Sequence, residues 1–519
     1  MIKNYCNSTV AAILYLVIPI IIFFITWLHW YVGIPASILL IYASFRFIDD
    51  NFKKNKDLPR FSKTKEAFFA SVYILLYLLI TGHGTFIGSA GYDTPWRNAI
   101  YQDLVVQSWP VIYEYSQSAL IYYLTYWLVP AGLSSIFCFD ESSSNAILFV
   151  WTFIGIRIFV SLLWNYLHLK NTQIIPITFF FLFWSGLNVL GELIVSSLNF
   201  FPFEIDIKWG WYSWWYTGLT IDGYQMTYMI RTVFDSLGNT YNQFGPTLLG
   251  TILFLQYRQV KYLALIGLLV VPYSPIGFIG LFLLMIAEVM KKGIIAIKMR
   301  RILFLQELFS ITNIIPSCTI FPIFLFYFIA NAVNSTNNDG YGAAQSIFSA
   351  PLSAYGLVRI MVLLLYYLFQ FGIFLRLCYK NNNDKFLLWS VLLSLVIFPI
   401  FRVGESGDFC WNASVPGFYI TMVFMMQEIL RLFKNTMDVK HFFVVSIVVT
   451  LACLTPCMQI ASSFRKCAYN RTTLVNIDHA DVGGTYSNKS RDEMRAKYRN
   501  FANVDYNNQI FYVYLAKKT

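Results

Sequence analysis

The sequence predicts an all-α protein that crosses a membrane many times, on three observations. Of 519 residues, 57% are hydrophobic, 19% aromatic and only 13% charged, against about 45–50% apolar and about 25% charged in an ordinary soluble domain. Mean hydropathy is +0.56, and apolar runs of bilayer length, or nearly so, recur along the chain. The basic residues, finally, are sorted unevenly among the segments that join those runs. This composition excludes a soluble enzyme, and it removes the nucleic-acid reading that a formal charge of +11 would otherwise invite.

The candidate helices fall at residues 9–30, 33–47, 67–82, 146–167, 175–198, 245–257, 262–274, 276–290, 311–332, 352–375, 386–401, 416–430 and 441–457. That is about thirteen spans, within a range of 11 to 14, the trio between 245 and 290 being split by Pro272 and Pro275. The first run is too long for a signal-peptide core and predicts a retained helix. The stretch 119–139 holds Pro130 and Gly132 and ends in Asp140 and Glu141, so it reads as an interfacial or re-entrant segment.

Counting charges orients the chain. With the N-terminus cytoplasmic, the inside segments hold 22 basic residues and the outside loops only Arg97, Lys208, Arg231 and Arg402, as the positive-inside rule requires. An odd number of spans then puts the C-terminus outside. The expected organisation is a membrane domain over 1–457, with large outer loops at 83–145 and 199–245, and a small outer tail or cap over 458–519. Eight cysteines show no CxxC or zinc-site spacing and read as inert core residues. P-loop, HExxH, GxSxG and dinucleotide-binding fingerprints do not occur in a plausible setting.

Chemistry is expected in the outer loops, because loops of this size carry function more often than packing. Glycines 82, 84, 88 and 91 let the first loop turn sharply before Asp93, and residues 98–106 read as a short amphipathic helix. A carboxylate at a membrane face suits a general base or a divalent-cation ligand. Asp93 is the first candidate and Asp103 the second; Glu114 belongs to the same loop. Arg97 lies four residues past Asp93, beside Asn98, and Arg231 and Arg402 flank other outer loops; arginine forks suit phosphate. The loop from Arg402 to Pro416 adds two carboxylates, Glu405 and Asp408, and two glycines between helices. The aromatic run Trp209–Tyr216 reads as an interfacial anchor or as a groove wall for a sugar or isoprenoid. Arg157, Glu192, Glu288 and Arg359 are the few charges within apolar segments, each either paired or functional.

The order of a cytoplasmic N-terminus, a large first outer loop with an early acidic residue, an interfacial segment, many further helices and an outer C-terminal piece resembles the GT-C superfamily of membrane glycosyltransferases. The segments Asp93-Thr-Pro-Trp-Arg-Asn-Ala-Ile100 and Gly407-Asp408-Phe-Cys-Trp-Asn-Ala-Ser-Val-Pro416 resemble bacterial membrane proteins associated with it. The resemblance implies inverting transfer of a sugar from a polyprenyl-phosphate donor to a glycan, lipid or protein acceptor at the outer face of a bacterial cytoplasmic membrane. It implies Asp93 as base or metal ligand, with Mg or Mn as the possible divalent cation. The acidic pair or Asp-x-Asp frequent in that superfamily is missing around Asp93. An O-antigen polymerase or ligase, and a transporter or lipid flippase, are the competing readings; the former leans on outer arginines, the latter on polar residues at mid-bilayer depth.

Overall fold

The computed structural model describes residues 7–54, 61–83, 93–191, 220–221, 224–225, 232–299, 303–331, 344–346, 354–403, 408–434, 438–470 and 485–518. Each of the thirteen apolar runs contains helix. Among the described residues, six helical stretches are long and apolar enough to cross a membrane: Ser8–Trp27, Trp30–Asn51, Glu141–Tyr166, Leu303–Ile329, Asp408–Lys434 and Val439–Arg465. The protein is therefore an all-α membrane protein in outline.

Helix α1 (Ser8–Trp27) begins where the Asn7 side chain accepts the Thr9 N–H at 2.8 Å, satisfying one donor that a helix start leaves unpaired. Its 20 residues rise about 30 Å, the thickness of the hydrocarbon core. Ile13, Leu16, Ile20, Phe23, Phe24 and Trp27 are fully buried, so α1 is a central post. Helix α2 (Trp30–Lys54) turns Ile34, Ile38, Ile41 and Phe45 outward, which suits a lipid-facing helix. After α3 (Lys65–Ile80) come α4 (Thr94–Val106), a hairpin of β1 (Ile112–Tyr113) and β2 (Ser118–Leu120), α5 (Leu128–Ile136), α6 (Glu141–Tyr166) and α7 (Asn171–Leu182). Then follow α8 (Val233–Asn239), α9 (Tyr241–Gln256), α10 (Leu263–Leu268), α11 (Pro275–Lys298), α12 (Leu303–Leu308) and α13 (Ile311–Ile329). A two-stranded pair β3 (Thr220–Ile221) and β4 (Tyr224–Gln225) precedes α8. The last third holds β5 (Ala344–Ser346), α14 (Ala354–Tyr367), α15 (Ile373–Tyr379), α16 (Lys385–Ile397), β6 (Phe401–Val403), α17 (Asp408–Lys434), α18 (Val439–Asn470), α19 (Arg491–Ala496) and β7 (Ala502–Asn503).

Lipid tails are as apolar as leucine, so close backbone approach and hydrogen bonds, more than apolar burial, specify helix pairing in a membrane. Gly280 of α11 crosses α17 so tightly that a Cβ there would sit 2.0 Å from the Ala413 carbonyl oxygen. Gly155 of α6 makes room for the Tyr15 hydroxyl, which would stand 2.5 Å from a Cβ. Tyr15 uses that room to donate to the Trp151 carbonyl at 3.2 Å and to Tyr126 at 3.3 Å.

Two apolar runs are not continuous helices. The run from 175 stops at Leu182, and residues 184–187 are non-helical. There the Leu187 N–H donates to the Phe369 carbonyl at 3.0 Å and the Ser185 hydroxyl to the Ala452 carbonyl at 2.6 Å. Neighbouring helices thus satisfy the broken backbone, the condition under which irregular chain is tolerated at membrane depth. The run 262–274 is helical only in the six residues of α10, about 9 Å at the usual rise. It then turns, and Tyr273 donates to the Leu16 carbonyl halfway along α1 at 2.6 Å. Pro272 and Pro275 explain the turn, since proline removes a donor and clashes with the preceding helical turn.

The stretch 119–139 forms part of β2, a 3₁₀ turn at Leu124–Trp127 and α5, so it does not span. The short helix expected at 98–106 is present but is not amphipathic. Ten of the 13 residues of α4 are buried, on every side, because the C-terminal segment covers the face that sequence alone leaves for water. The boundary expected at 457 falls inside α18, which runs on to Asn470. Of the cysteines read as core, Cys378 is buried, whereas Cys138, Cys318 and Cys457 are exposed; an apolar run places a cysteine in the membrane without saying which face of the helix it occupies.

The helices present two ends. At one, Lys261 pairs with Asp50 at 2.6 Å, Arg258 with both Glu288 and Asp384, and Glu428 with Arg431 at 2.6 Å. Glu288 therefore belongs to this basic end and not to mid-membrane. At the other end gather Trp27, the first-loop helix α4, the hairpin, the start of α17 and the C-terminal segment. Arg157 lies between the two ends, its Nε donating to the Ser71 hydroxyl at 2.7 Å and its guanidinium 4.7 Å over Trp164. Glu192 lies outside the described residues.

Candidate functional site

The long loop that follows α3 is anchored by the short helix α8. Helix α3 ends at Ile80, and Gly82 takes a left-handed φ of 81°, open to glycine without strain. His83 follows, 1% exposed, with its ring 4.2 Å from that of Tyr241 and 6.0 Å from that of Phe149. Burial pushes its imidazole down to about 3, so the ring is neutral at physiological pH. Glycines 84, 88 and 91 lie outside the described residues.

Both flanks of that loop meet at the end of α8. A Cβ on Gly238 would lie 2.9 Å from the Thr81 carbonyl oxygen. The Gly238 carbonyl accepts the Thr94 hydroxyl at 3.2 Å, and Asn239 Oδ1 accepts the Asp93 N–H at 3.3 Å. Asn239 is itself held by donating to Asp235 Oδ1 at 2.6 Å. Asp93 stands at the start of α4, but its side chain makes no capping bond there. It reaches one turn along the helix instead, where Arg97 Nη1 lies 3.1 Å from Asp93 Oδ2.

The two partners differ in exposure: the Arg97 side chain is 6% exposed and that of Asp93 33%. Burial by itself would lower the Arg97 guanidinium, but the facing Asp93 outweighs it and the net shift is upward. A buried cation is thus held charged behind a half-open carboxylate. Tyr122 lies within electrostatic reach of the same arginine; burial raises its hydroxyl, Arg97 opposes, and Asp93 and Asp408 raise it further. Asp408, exposed at the start of α17, therefore lies within electrostatic reach of Tyr122, as Asp93 and Arg97 do, although 315 positions separate it from Asp93 in the chain. Tyr241, whose hydroxyl accepts Trp127 Nε1 at 3.0 Å, also feels the Arg97 charge.

The other expected residues fall in three groups. Asn98 is buried beside Arg97, at 4% exposed. Asp103, 1% exposed, accepts the Tyr113 hydroxyl at 2.9 Å and the Tyr486 N–H at 3.0 Å; burial pushes its carboxyl up to about 7 against those bonds. Glu114 is exposed in the β1–β2 turn, where its carbonyl accepts Gln117 Nε2 at 2.6 Å. Arg402 lies in β6, paired in register with Gln345 of β5, and its side chain is outside the described residues, as are Arg231, Glu405 and the aromatic run Trp209–Tyr216. Sequence reasoning missed Tyr122, Tyr241, His83 and Asn239. Of these only His83, flanked by two glycines at the end of an apolar run, carried a local signal.

Among the described residues no three or more His, Cys, Asp and Glu side chains gather as a metal-binding group. A divalent cation at Asp93 would compete with Arg97 for the same carboxylate, so the donors present do not form a fitted cation site. No family model, no curated protein and no solved structure matches the chain.

Proposed function

We propose that this protein is a membrane glycosyltransferase that moves a sugar from a polyprenyl-phosphate donor to a glycan, lipid or protein acceptor at the outer face of a bacterial cytoplasmic membrane. One observation carries the reading: a half-open carboxylate, Asp93, is backed by a buried guanidinium, Arg97, with tyrosine walls and a second acid, Asp408, from the far end of the chain. The positive-inside rule assigns the Asp93 end to the outside.

A lipid-linked donor keeps its isoprenoid in the bilayer and its phosphate at the interface, where this group of side chains stands. Asp93 accepts the proton of an acceptor hydroxyl as that oxygen attacks the anomeric carbon. The bond from that carbon to the phosphate oxygen breaks, and the phosphate leaves as a dianion whose charge Arg97 offsets. Attack from the face opposite the leaving group inverts the anomeric centre. Asn239, through the Asp93 N–H, and Tyr122, through Arg97, keep the pair in place.

Purified protein in detergent, given a polyprenyl-phosphate sugar and a hydroxyl acceptor, is expected to release polyprenyl phosphate. Asp93→Asn is expected to stop release while the protein still elutes as a folded monodisperse peak. Full turnover by Asp93→Asn would remove the catalytic assignment. Unchanged turnover of the wild-type protein in EDTA would dispense with the divalent cation.

A further inference from the structure

The C-terminal segment is stitched to α4, which carries the Asp93–Arg97 pair, to β2 and to the end of α1. At its start, Tyr486 gives its N–H to Asp103 and its hydroxyl to the Trp96 carbonyl, 3.5 Å away, so two points of α4 are gripped on either side of Arg97. In its middle, β7 pairs antiparallel with β2, Leu120 opposite Ala502, and the Ile121 N–H donates to the Phe501 carbonyl at 2.8 Å. At its end, the His29 N–H donates to the Leu515 carbonyl at 2.9 Å and the Lys517 N–H to the Trp27 carbonyl at 2.8 Å.

Phe501 makes the link to the site. Its ring meets Tyr122 edge-on at 5.0 Å and stacks on Trp96 at 5.7 Å. The Tyr122 hydroxyl feels the Arg97 charge, and Trp96 is the neighbour of Arg97 in α4. The next anchor is Asn503, whose Nδ2 donates to the Ala330 carbonyl at 2.7 Å, while Asn331 Nδ2 returns to the Ile121 carbonyl at 2.8 Å. The hairpin that carries Tyr122 is thus clamped between the C-terminal segment and the end of α13. The hairpin strands are only two and three residues long, and isolated two-stranded ribbons are marginal by themselves, so the third strand supplies their stability.

We propose that residues 485–518 are a positioning element for the Asp93–Arg97 pair, with Asp103 as the residue that fastens this element to α4. Asp103 acts through Tyr113 and Tyr486 and touches neither Asp93 nor a substrate. This inference concerns the placement of Arg97 and Tyr122 and stands whether or not the transferase reading holds.

The test is amide hydrogen exchange on full-length protein in detergent, with variants at Asp103 alone and combined with a cross-link. Leu120→Cys with Ala502→Cys joins a pair whose hydrogen bonds point away from each other, at a spacing that a disulfide accepts. Asp103→Ala is expected to speed exchange of amides 97–107 and of Tyr122 roughly tenfold, together with Tyr486, since a buried hydrogen-bond acceptor is lost. Asp103→Asn, which keeps an acceptor oxygen, is expected to stay within about threefold of the parent protein. Oxidising the cysteine pair in the Asp103→Ala background is expected to restore slow exchange in α4, and reducing it to abolish the rescue.

Faster exchange at Tyr486 with α4 and Tyr122 unchanged would overturn the positioning role. Faster exchange in α4 that the disulfide fails to reverse would also overturn it, because Asp103 would then hold α4 without the C-terminal segment. The assay needs no substrate, so its failure is separate from any failure of the polyprenyl-phosphate assay.

Discussion

Arg97 Nη1 stands 3.1 Å from Asp93 Oδ2, one helical turn apart on α4, with the arginine buried and the aspartate partly open. An ion pair built this way is asymmetric. Removing the acid leaves a buried cation with one partner fewer, whereas removing the cation frees a carboxylate that water still reaches. Arg97→Gln is therefore expected to be milder for folding than Asp93→Ala, with a loss of about 1 kcal/mol against about 2 kcal/mol once the exposure of Asp93 is discounted. Thermal unfolding of both variants in one detergent checks the order. Under the transferase reading, Arg97→Gln also slows turnover by about a hundredfold, and Arg97→Lys only partly restores it because the fork is lost.

Tyr122 couples the arginine to Asp408 and to the C-terminal segment. Tyr122→Phe keeps the ring packing against Phe501 and removes the hydroxyl that feels the Arg97 charge. The expected stability loss is about 1 kcal/mol, read as a lower melting temperature. Asp408→Asn is expected to leave the melting temperature nearly unchanged, since Asp408 is exposed.

Gly280 meets the backbone of α17 where nothing can move aside, because a Cβ would lie 2.0 Å from a carbonyl oxygen. Gly280→Ala is expected to separate the two helices and to cost at least 1–3 kcal/mol, the usual range for overpacking. Size-exclusion elution after heating should show the loss. Gly245, with open space around its Cβ position, is the control, and Gly245→Ala should elute as the parent does.

Asp103 gives a pH dependence of definite sign. Its carboxyl is pushed up to about 7 in the folded protein from an ordinary value of 3.8, so the folded state binds this proton more tightly than the unfolded state. The stability contributed by this group is complete below about pH 4, falls as pH rises to about 7, and is level above that. Asp103→Asn should therefore remove a downward slope from a plot of melting temperature against pH between 4 and 7. A slope identical to that of the parent protein would remove the assignment.

Asp384 has the opposite sign. Burial raises its carboxyl, but Arg258 outweighs burial and the net value is lowered from 3.8. Its contribution is present above the ordinary carboxylate range and is lost as pH falls through the folded value. Asp384→Asn should lower stability at neutral pH and flatten the acid limb of the same plot, with Asp103→Asn as the contrasting variant.

The helices and the two-ended sorting of charge were legible in the sequence because both are local. An apolar run seeks lipid wherever it lies, and a cluster of lysines and arginines marks a membrane side without reference to any partner. Asp93 and Arg97 were legible as candidates four residues apart, but their pairing was not, because it needs the helix to begin at Thr94 and not at residue 98. The breaks at 184–187 and 269–274 were less visible. Only the second carries prolines, whereas the first is stabilised by bonds that Leu187 and Ser185 make to distant carbonyls.

Composition and pattern by themselves determined the membrane class, the helical character of the apolar runs and the presence of an acid and an arginine four residues apart before residue 98. Tertiary structure decided what surrounds that pair. Tyr122, Asn239, Asp408 and the C-terminal segment reach it from four separate stretches of chain, so no spacing rule links them. It also buried Asp103 against Tyr113 and Tyr486, because whether a carboxylate meets water or a tyrosine depends on what folds over it, and here one of the two lies almost four hundred positions away.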